Sequence, residues 1–335
     1  MTTSTDAMET LRKLYFQGRF KEAVEFAASS WGELVFSNEA VQLIGQIRTE
    51  SMIQQQLSAL NQVNALLGRV SSSVHQTFVA ELLSLPKFDD VRRLERHGFS
   101  AGSQNEEDGI LVEIFRRIGS PNKTFFEFGV GSGLQNCTIY FLLAGWSGGW
   151  VEVNRGKLDF IRKKFAFYIS ANFLRTTDRP VTPENVDYIA EELGVSTNLD
   201  LLSIDIDGND YFVFQSMTIK PRVLVIEYNG LFPPPHRITQ AYDPNYVYAA
   251  DSYTGCSLQS LVDLANDKGY RLVGTNLSGL NAFFVREDLY STELFSDADA
   301  AMLYNPPRHQ LAWGGAFSSG PPLAISPMHE QPSLR

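Results

Sequence analysis

The apolar positions of this chain change period near residue 99. Before that point they recur at helical spacing: Leu11, Leu14 and Tyr15, then Phe20, Ala23, Val24 and Phe26, flank Gly18 and predict two short helices. The pair resembles half of a helical-repeat unit, and a single copy cannot build a solenoid. Ile53, Leu57, Leu60, Val63, Leu67, Val70 and Val74 follow at steps of three and four, predicting a longer helix whose other face is Gln, Asn and Ser. Little other apolar surface nearby could cover this stripe. It is expected to be a seam between copies of the chain, giving a homodimer through the N-terminal helices, in preference to packing on the following domain. Pro86 closes the helical block.

From 99 onward, helical stretches alternate with short apolar runs. A helix is predicted over 110–118, with Leu111, Ile114, Phe115 and Ile118 on one face. Strands are predicted at 125–129, 149–153, 173–177, 201–206 and 222–228, and helices at 134–144, 156–170, after Pro183, at 213–217 and at 258–268. The last two runs, 270–275 and 281–286, are joined by a glycine-containing turn and read as a hairpin. The expected fold is α/β: a Rossmann-like, doubly wound, mostly parallel sheet with a terminal antiparallel strand, preceded by an α-helical region. The expected organisation is a helical region over 1–98, a Rossmann-like domain over 99–290 and an extended or disordered tail over 291–335, where Asn305-Pro306-Pro307 and 318–322 break any pattern.

Composition narrows the function. With 335 residues, 44% of them hydrophobic and 20% charged, the chain can bury a full core, and no apolar run approaches the ~18 residues of a membrane span. No basic segment followed by an apolar one opens it, so no secretory leader is expected. Cys137 and Cys256 supply neither a disulfide framework nor zinc spacing, which favours a reducing, cytoplasmic setting. A net charge of −10 argues against nucleic acid as a partner. The cluster Arg155, Lys157, Arg162, Lys163 and Lys164 reads as a solvated helix face.

The chemistry concentrates at strand ends. Phe125 to Gly133 reads Phe-Phe-Glu-Phe-Gly-Val-Gly-Ser-Gly, placing Glu127, Gly129, Gly131 and Gly133 at alternate positions where a buried strand must turn sharply. A dinucleotide fingerprint would need a small residue where Leu134 stands. Glu152 ends the next predicted strand, roughly 20 residues on, where nucleotide-binding sheets place a carboxylate for ribose hydroxyls. Leu201-Leu202-Ser203-Ile204-Asp205-Ile206-Asp207-Gly208-Asn209-Asp210 brings three acids to a strand end, and Glu227 and Asn229 close the following strand. Calcium-loop geometry fails, because Gly208 falls at the fourth position rather than the sixth. A phosphatase with Asp205 as nucleophile is an alternative. That family, however, carries Thr or Val where Asn209 stands, and usually sets this motif on its first strand.

The acid-x-Gly-x-Gly-x-Gly run resembles motif I of the class I S-adenosylmethionine-dependent methyltransferases. Taken with Ser103-Gln104-Asn105-Glu106-Glu107-Asp108, Trp150-x-Glu152, Asp205-x-Asp207-Gly208 and Ile226-Glu227, residues 99–288 are similar to the FkbM-like group of that family. The group more often has Gly-Ala in its first turn, so Gly129-Val130-Gly131 departs from it. The resemblance implies S-adenosylmethionine as cofactor, held by Gln104, Glu127, Gly129, Gly131, Gly133 and Glu152. It implies O-methylation of a carbohydrate or small-molecule hydroxyl. Asp205 and Asp207 are the candidates to orient or deprotonate that hydroxyl, with His236 behind them because an imidazole titrates near neutrality. A divalent cation such as magnesium on Asp205, Asp207 and Glu227 is a further expectation, since hard cations take clustered oxygen ligands. Outside enzymology, the fold could serve as a non-catalytic interaction module.

Overall fold

The computed structural model describes residues 4–30, 34, 38–195, 199–248, 254–308, 311 and 329–330. The chain divides into two compact units, Met1–Phe78 and Val79–Arg335. In the first, α1 (Ser4–Phe16), α2 (Phe20–Ser29) and the start of α3 (Asn38–Leu83) close a small core of Ala7, Leu11, Ala23, Ala27, Ile44 and Ile47. Past Ile47 the 46-residue α3 changes character. Ile53, Leu57, Leu60, Val63, Leu67, Val70 and Val74 are all exposed, by 42% at Ile53 and up to 63% at Val74. The stripe is therefore a surface feature, with no partner among the described residues of its own unit.

The second unit is built on a seven-stranded sheet. In chain order its elements are α4 (Glu107–Ile118), β1 (Thr124–Phe128), α5 (Ile139–Leu143), β2 (Ser147–Val151), α6 (Arg155–Lys164), α7 (Ala166–Ser170), β3 (Leu174–Thr177), α8 (Val186–Glu192), β4 (Leu201–Ile204), α9 (Asp210–Ser216) and β5 (Val223–Glu227). There follow β6 (Ile238–Thr239), α10 (Leu258–Asp267), β7 (Tyr270–Thr275), β8 (Asn281–Arg286), α11 (Ala300–Leu303) and β9 (His329–Glu330), of which β6 and β9 pair apart from the main sheet. Strand order is β3-β2-β1-β4-β5-β8-β7, parallel up to β5, with β8 antiparallel to both its neighbours. This is a Rossmann-like, mostly parallel sheet with a terminal antiparallel strand, as the sequence leads one to expect. Successive strand residues feed opposite cores: Phe125, Trp150, Leu201 and Val223 pack on one face, Phe126, Val151, Leu202 and Leu224 on the other. Burial on both faces is why these strands read as continuous apolar runs.

Five expectations need correction. The helix over 134–144 shrinks to Ile139–Leu143, because the Glu127 carboxylate captures the backbone amides of Cys137 and Thr138 and holds 129–138 as a turn. The helix over 156–170 breaks at Phe165, which turns inward onto Trp150. Strand β4 stops at Ile204, since Asp210 accepts from Ile206 N and Gly208 N and curls the acidic segment into a loop. The stretch after 291 is not simply extended. Phe295, Leu303 and Asn305 are fully buried in the second unit, whereas 318–322 lies outside the described residues. Residues 86–98, expected with the helical region, also fall in the second unit.

Candidate functional site

Three glycines shape the turn after β1, each at positive φ: 72° at Gly129, 58° at Gly131 and 70° at Gly133. Their neighbours separate their roles. A Cβ on Gly129 would run into the carbonyl oxygen of Asp205, so this glycine lets the turn close against the end of β4. A Cβ on Gly133 would sit 2.7 Å from Trp150 Cζ3, so Gly133 serves packing. A Cβ on Gly131 would meet nothing within 4 Å. Of the three, Gly131 is the one that leaves open space against bare backbone, the property a ligand cradle needs.

Glu127 faces inward. Its carboxylate accepts hydrogen bonds from Cys137 N (2.8 Å), Thr138 N (3.0 Å), Asn136 Nδ2 (2.5 Å) and Thr138 Oγ1, and that hydroxyl accepts in turn from Trp150 Nε1 (2.7 Å). Burial pushes its pKa up to about 7, although these donors pull the other way. Glu127 thus sets the shape of the turn instead of reaching out of it. Glu152 stands one residue beyond β2, beside the turn, because Phe128 and Val151 are register partners and Gly129 N donates to Val151 O at 3.0 Å. One of its oxygens accepts from Asn154 N at 2.8 Å.

The acids converge as the sheet order dictates. β4 and β5 are neighbours through Ile204 and Ile226, so Asp205 and Glu227 emerge side by side. Single carboxylate oxygens of Asp205, Asp207 and Glu227 all lie within 4.8 Å of one another. Asp207 adopts the left-handed region at φ 58°, and its carboxylate lies with the other two. Asp205 is open to solvent on one side, yet the protein around it removes enough water to push its pKa well above the usual carboxylate range, and repulsion from Glu227, Asp210 and Asp207 adds to this. Glu227, half-buried, is pushed up to about 8, by desolvation first and then by Asp210 and Asp207. The Asp205 and Glu227 carboxylates lie close enough that each disfavours the other's charge, so a proton on one of them relieves the repulsion. Such a pair can accept or release one proton near neutral pH, or trade it for a cation.

Two further anchors border the cluster. Asp210 is buried and closes the Ile206–Gly208 loop from within. Glu107, buried at the start of α4, accepts from Asn105 N (2.7 Å), Asn276 Nδ2 (3.3 Å) and Asn281 Nδ2 (2.7 Å), and Asn281 lies directly across from Glu227 in the β5–β8 ladder. It ties the half-buried Gln104 segment to the hairpin that flanks the acids. No local pattern marks Asn276 or Asn281, since their partner is 169 and 174 residues away. His236 is exposed in the loop that carries the cis Pro234–Pro235 bond, and it is not among the side chains that converge.

No family model matches the chain, and no curated protein does. The solved structures similar to it are distant in sequence. They include the pyocyanin biosynthetic protein PhzM (16% identity, 52% of this chain and 54% of that one, TM-score 0.30). A SAM-dependent methyltransferase from Aquifex aeolicus matches at 13% identity, over 63% of this chain and 96% of that one, with TM-score 0.33. The N-terminal domain of EvdMO1, solved in the presence of SAH and D-fucose, matches at 12% identity, over 56% of this chain and 89% of that one, with TM-score 0.36. For PhzM, a putative sarcosine dimethylglycine methyltransferase from Galdieria sulphuraria and the mitomycin 7-O-methyltransferase MmcR, the match spans 54%, 60% and 53% of their own lengths. Strand order and the geometry at the strand ends carry the assignment of the fold. Among the described residues no helix is long and apolar enough to cross a membrane.

Proposed function

We propose that this protein is an S-adenosylmethionine-dependent methyltransferase that methylates a hydroxyl of a carbohydrate or small-molecule acceptor. The observation that carries the reading is the arrangement along one sheet edge: the open Gly131 turn after β1, Glu152 after β2, and the Asp205–Asp207–Glu227 group after β4 and β5. Open α/β sheets bind ligands outside the carboxyl ends of their strands. The cofactor supplies a methyl group on a sulfonium sulfur. Gly131 would lie under it, Gln104 would flank it, and Glu152 would accept from its ribose hydroxyls. An acceptor hydroxyl held beside the acids would lose its proton to the Asp205–Glu227 pair or to Asp207 as it took up the methyl group that the cofactor would supply. Most of the acceleration comes from positioning and proton removal. His236, exposed in its loop, is a weaker candidate for that proton.

Titration calorimetry with S-adenosylmethionine and S-adenosylhomocysteine tests the reading. Glu152→Ala should weaken binding by about 1.5 to 3 kcal/mol, the range for hydrogen bonds to a charged group. No heat of binding at millimolar cofactor would sink the proposal.

The spacing of the three carboxylates favours a second element, a divalent cation such as magnesium shared by Asp205, Asp207 and Glu227, which could also orient two acceptor oxygens. Millimolar magnesium should then raise the melting temperature of the parent and leave that of Asp205→Asn unmoved. Equal shifts in both proteins would rule the cation out at this position.

A further inference from the structure

Residues 51–77 of α3 present an arrangement that the methyltransferase reading does not use. Ile53, Leu60, Leu67 and Val74 fall at an interval of seven, and Val63 and Val70 lie three residues after Leu60 and Leu67. In heptad terms the first set occupies a positions, and Gln56, Val63, Val70 and Thr77 occupy d positions. A strict seven-residue repeat drifts about 20° per heptad around a straight helix, which two helices correct by supercoiling left-handed about each other. All six apolar members are exposed, and so is Leu57 beside them. An amphipathic helix gains most by packing its apolar face, and this one holds seven large apolar side chains in solvent.

We propose that this face of α3 is the docking surface for a second copy of the same chain, with the two α3 helices parallel and in register. Charge selects the occupant. Between residues 51 and 80 the only Lys, Arg, Asp or Glu is Arg69, in a protein of net charge −10. Two copies that repel elsewhere can approach along this nearly neutral segment. A partner chosen by charge would find no row of charges at the flanking positions to read. A lipid surface would need the basic polar face that this helix lacks. The area is also sufficient. Burying seven such side chains from each of two helices, at roughly 60–120 Å² apiece, removes on the order of 1,000 Å² or more, the lower bound for a stable interface.

Gln56 selects the direction. In a parallel pair it meets Gln56 of the other copy, and two amides can each donate to and accept from the other. An antiparallel pair centred on the same stripe would set its amide against Val74, burying a polar group without a partner.

Light scattering on the full-length protein should give a multiple of the single-chain mass. The double variant Leu60→Glu/Leu67→Glu should fall to the single-chain mass with unchanged helical circular dichroism, because both positions are exposed in one copy and Glu is a good helix former. Independently of that variant, Gln56→Cys should form an interchain disulfide on mild oxidation, whereas Ala65→Cys, on the opposite face, should not. A parent of single-chain mass overturns the proposal, as does cross-linking at Ala65→Cys but not at Gln56→Cys.

Discussion

Gly129 and Asp205 meet through their backbones: the carbonyl oxygen of Asp205 occupies the place a side chain on Gly129 would take. Gly131, two residues on, faces open space and has φ 58°. Substitutions at the two sites should therefore fail differently. Gly129→Ala forces apart the ends of β1 and β4 and should cost about 2 kcal/mol or more of stability, from the clash and from the positive φ. Gly131→Ala incurs only the backbone strain, about 1 kcal/mol, and should keep the fold while weakening S-adenosylhomocysteine. Urea unfolding beside calorimetry separates the two, and equal loss of stability at both sites would contradict the division of roles.

Thr138 joins Glu127 to Trp150 through one hydroxyl. Thr138→Val keeps the shape and removes that hydroxyl, leaving the Trp150 indole N–H buried without its acceptor and Glu127 short of a donor. A loss of roughly 1–3 kcal/mol is expected in chemical denaturation. A loss below 0.5 kcal/mol would mean that water or a neighbour replaces the hydroxyl.

The raised pKa values of Glu127, about 7, and Glu227, about 8, fix the direction of a pH effect. The folded protein holds these protons more tightly than the unfolded chain, so the stability they contribute is full below about pH 4.5 and is lost as pH rises through 7 to 8. Glu227→Gln removes one such group. Relative to the parent it should be unchanged near pH 4.5 and more stable at pH 9 by about 1 kcal/mol, well short of the full shift because Glu227 keeps some contact with water. Melting curves at the two pH values decide it, and a variant less stable at pH 9 would show that the charged carboxylate is held favourably.

Asn305 holds the 299–308 stretch against the rest of the second unit. Its Nδ2 donates to Glu95 Oε1 (3.3 Å) and Thr275 Oγ1 (3.1 Å), its Oδ1 accepts from Lys87 Nζ (3.0 Å), and its backbone oxygen accepts from Tyr228 OH (2.6 Å). Glu95 also pairs with Arg93, and both are buried. Asn305→Leu leaves several of these partners unsatisfied and should lower stability by about 2–4 kcal/mol. Limited proteolysis should then cut near 299–308 before the sheet is attacked. A variant as resistant as the parent would show that the segment is not needed.

Much of this protein was legible without coordinates. The apolar runs, the glycine spacing after Phe128, the acid at 152 and the hairpin over 270–286 are local signals, because strand burial, turn conformation and helical periodicity depend on near neighbours in the chain. Those signals located the Rossmann-like sheet and the strand ends that carry the candidate residues. They could not divide labour within the motif. That Gly131 alone of the three glycines opens onto space, and that Glu127 turns inward to bind 136–138, follow from what β4 and Trp150 place around them. The convergence of Asp205 with Glu227 depends on β4 lying beside β5, and the pairing of Glu107 with Asn281 spans 174 residues. The burial of Phe295 and Asn305, in a stretch that reads as a loose tail, likewise depends on surfaces made by distant segments. Periodicity reports which face of an element is apolar; which surface covers that face, and which side chains meet, is decided only when the strands take their order.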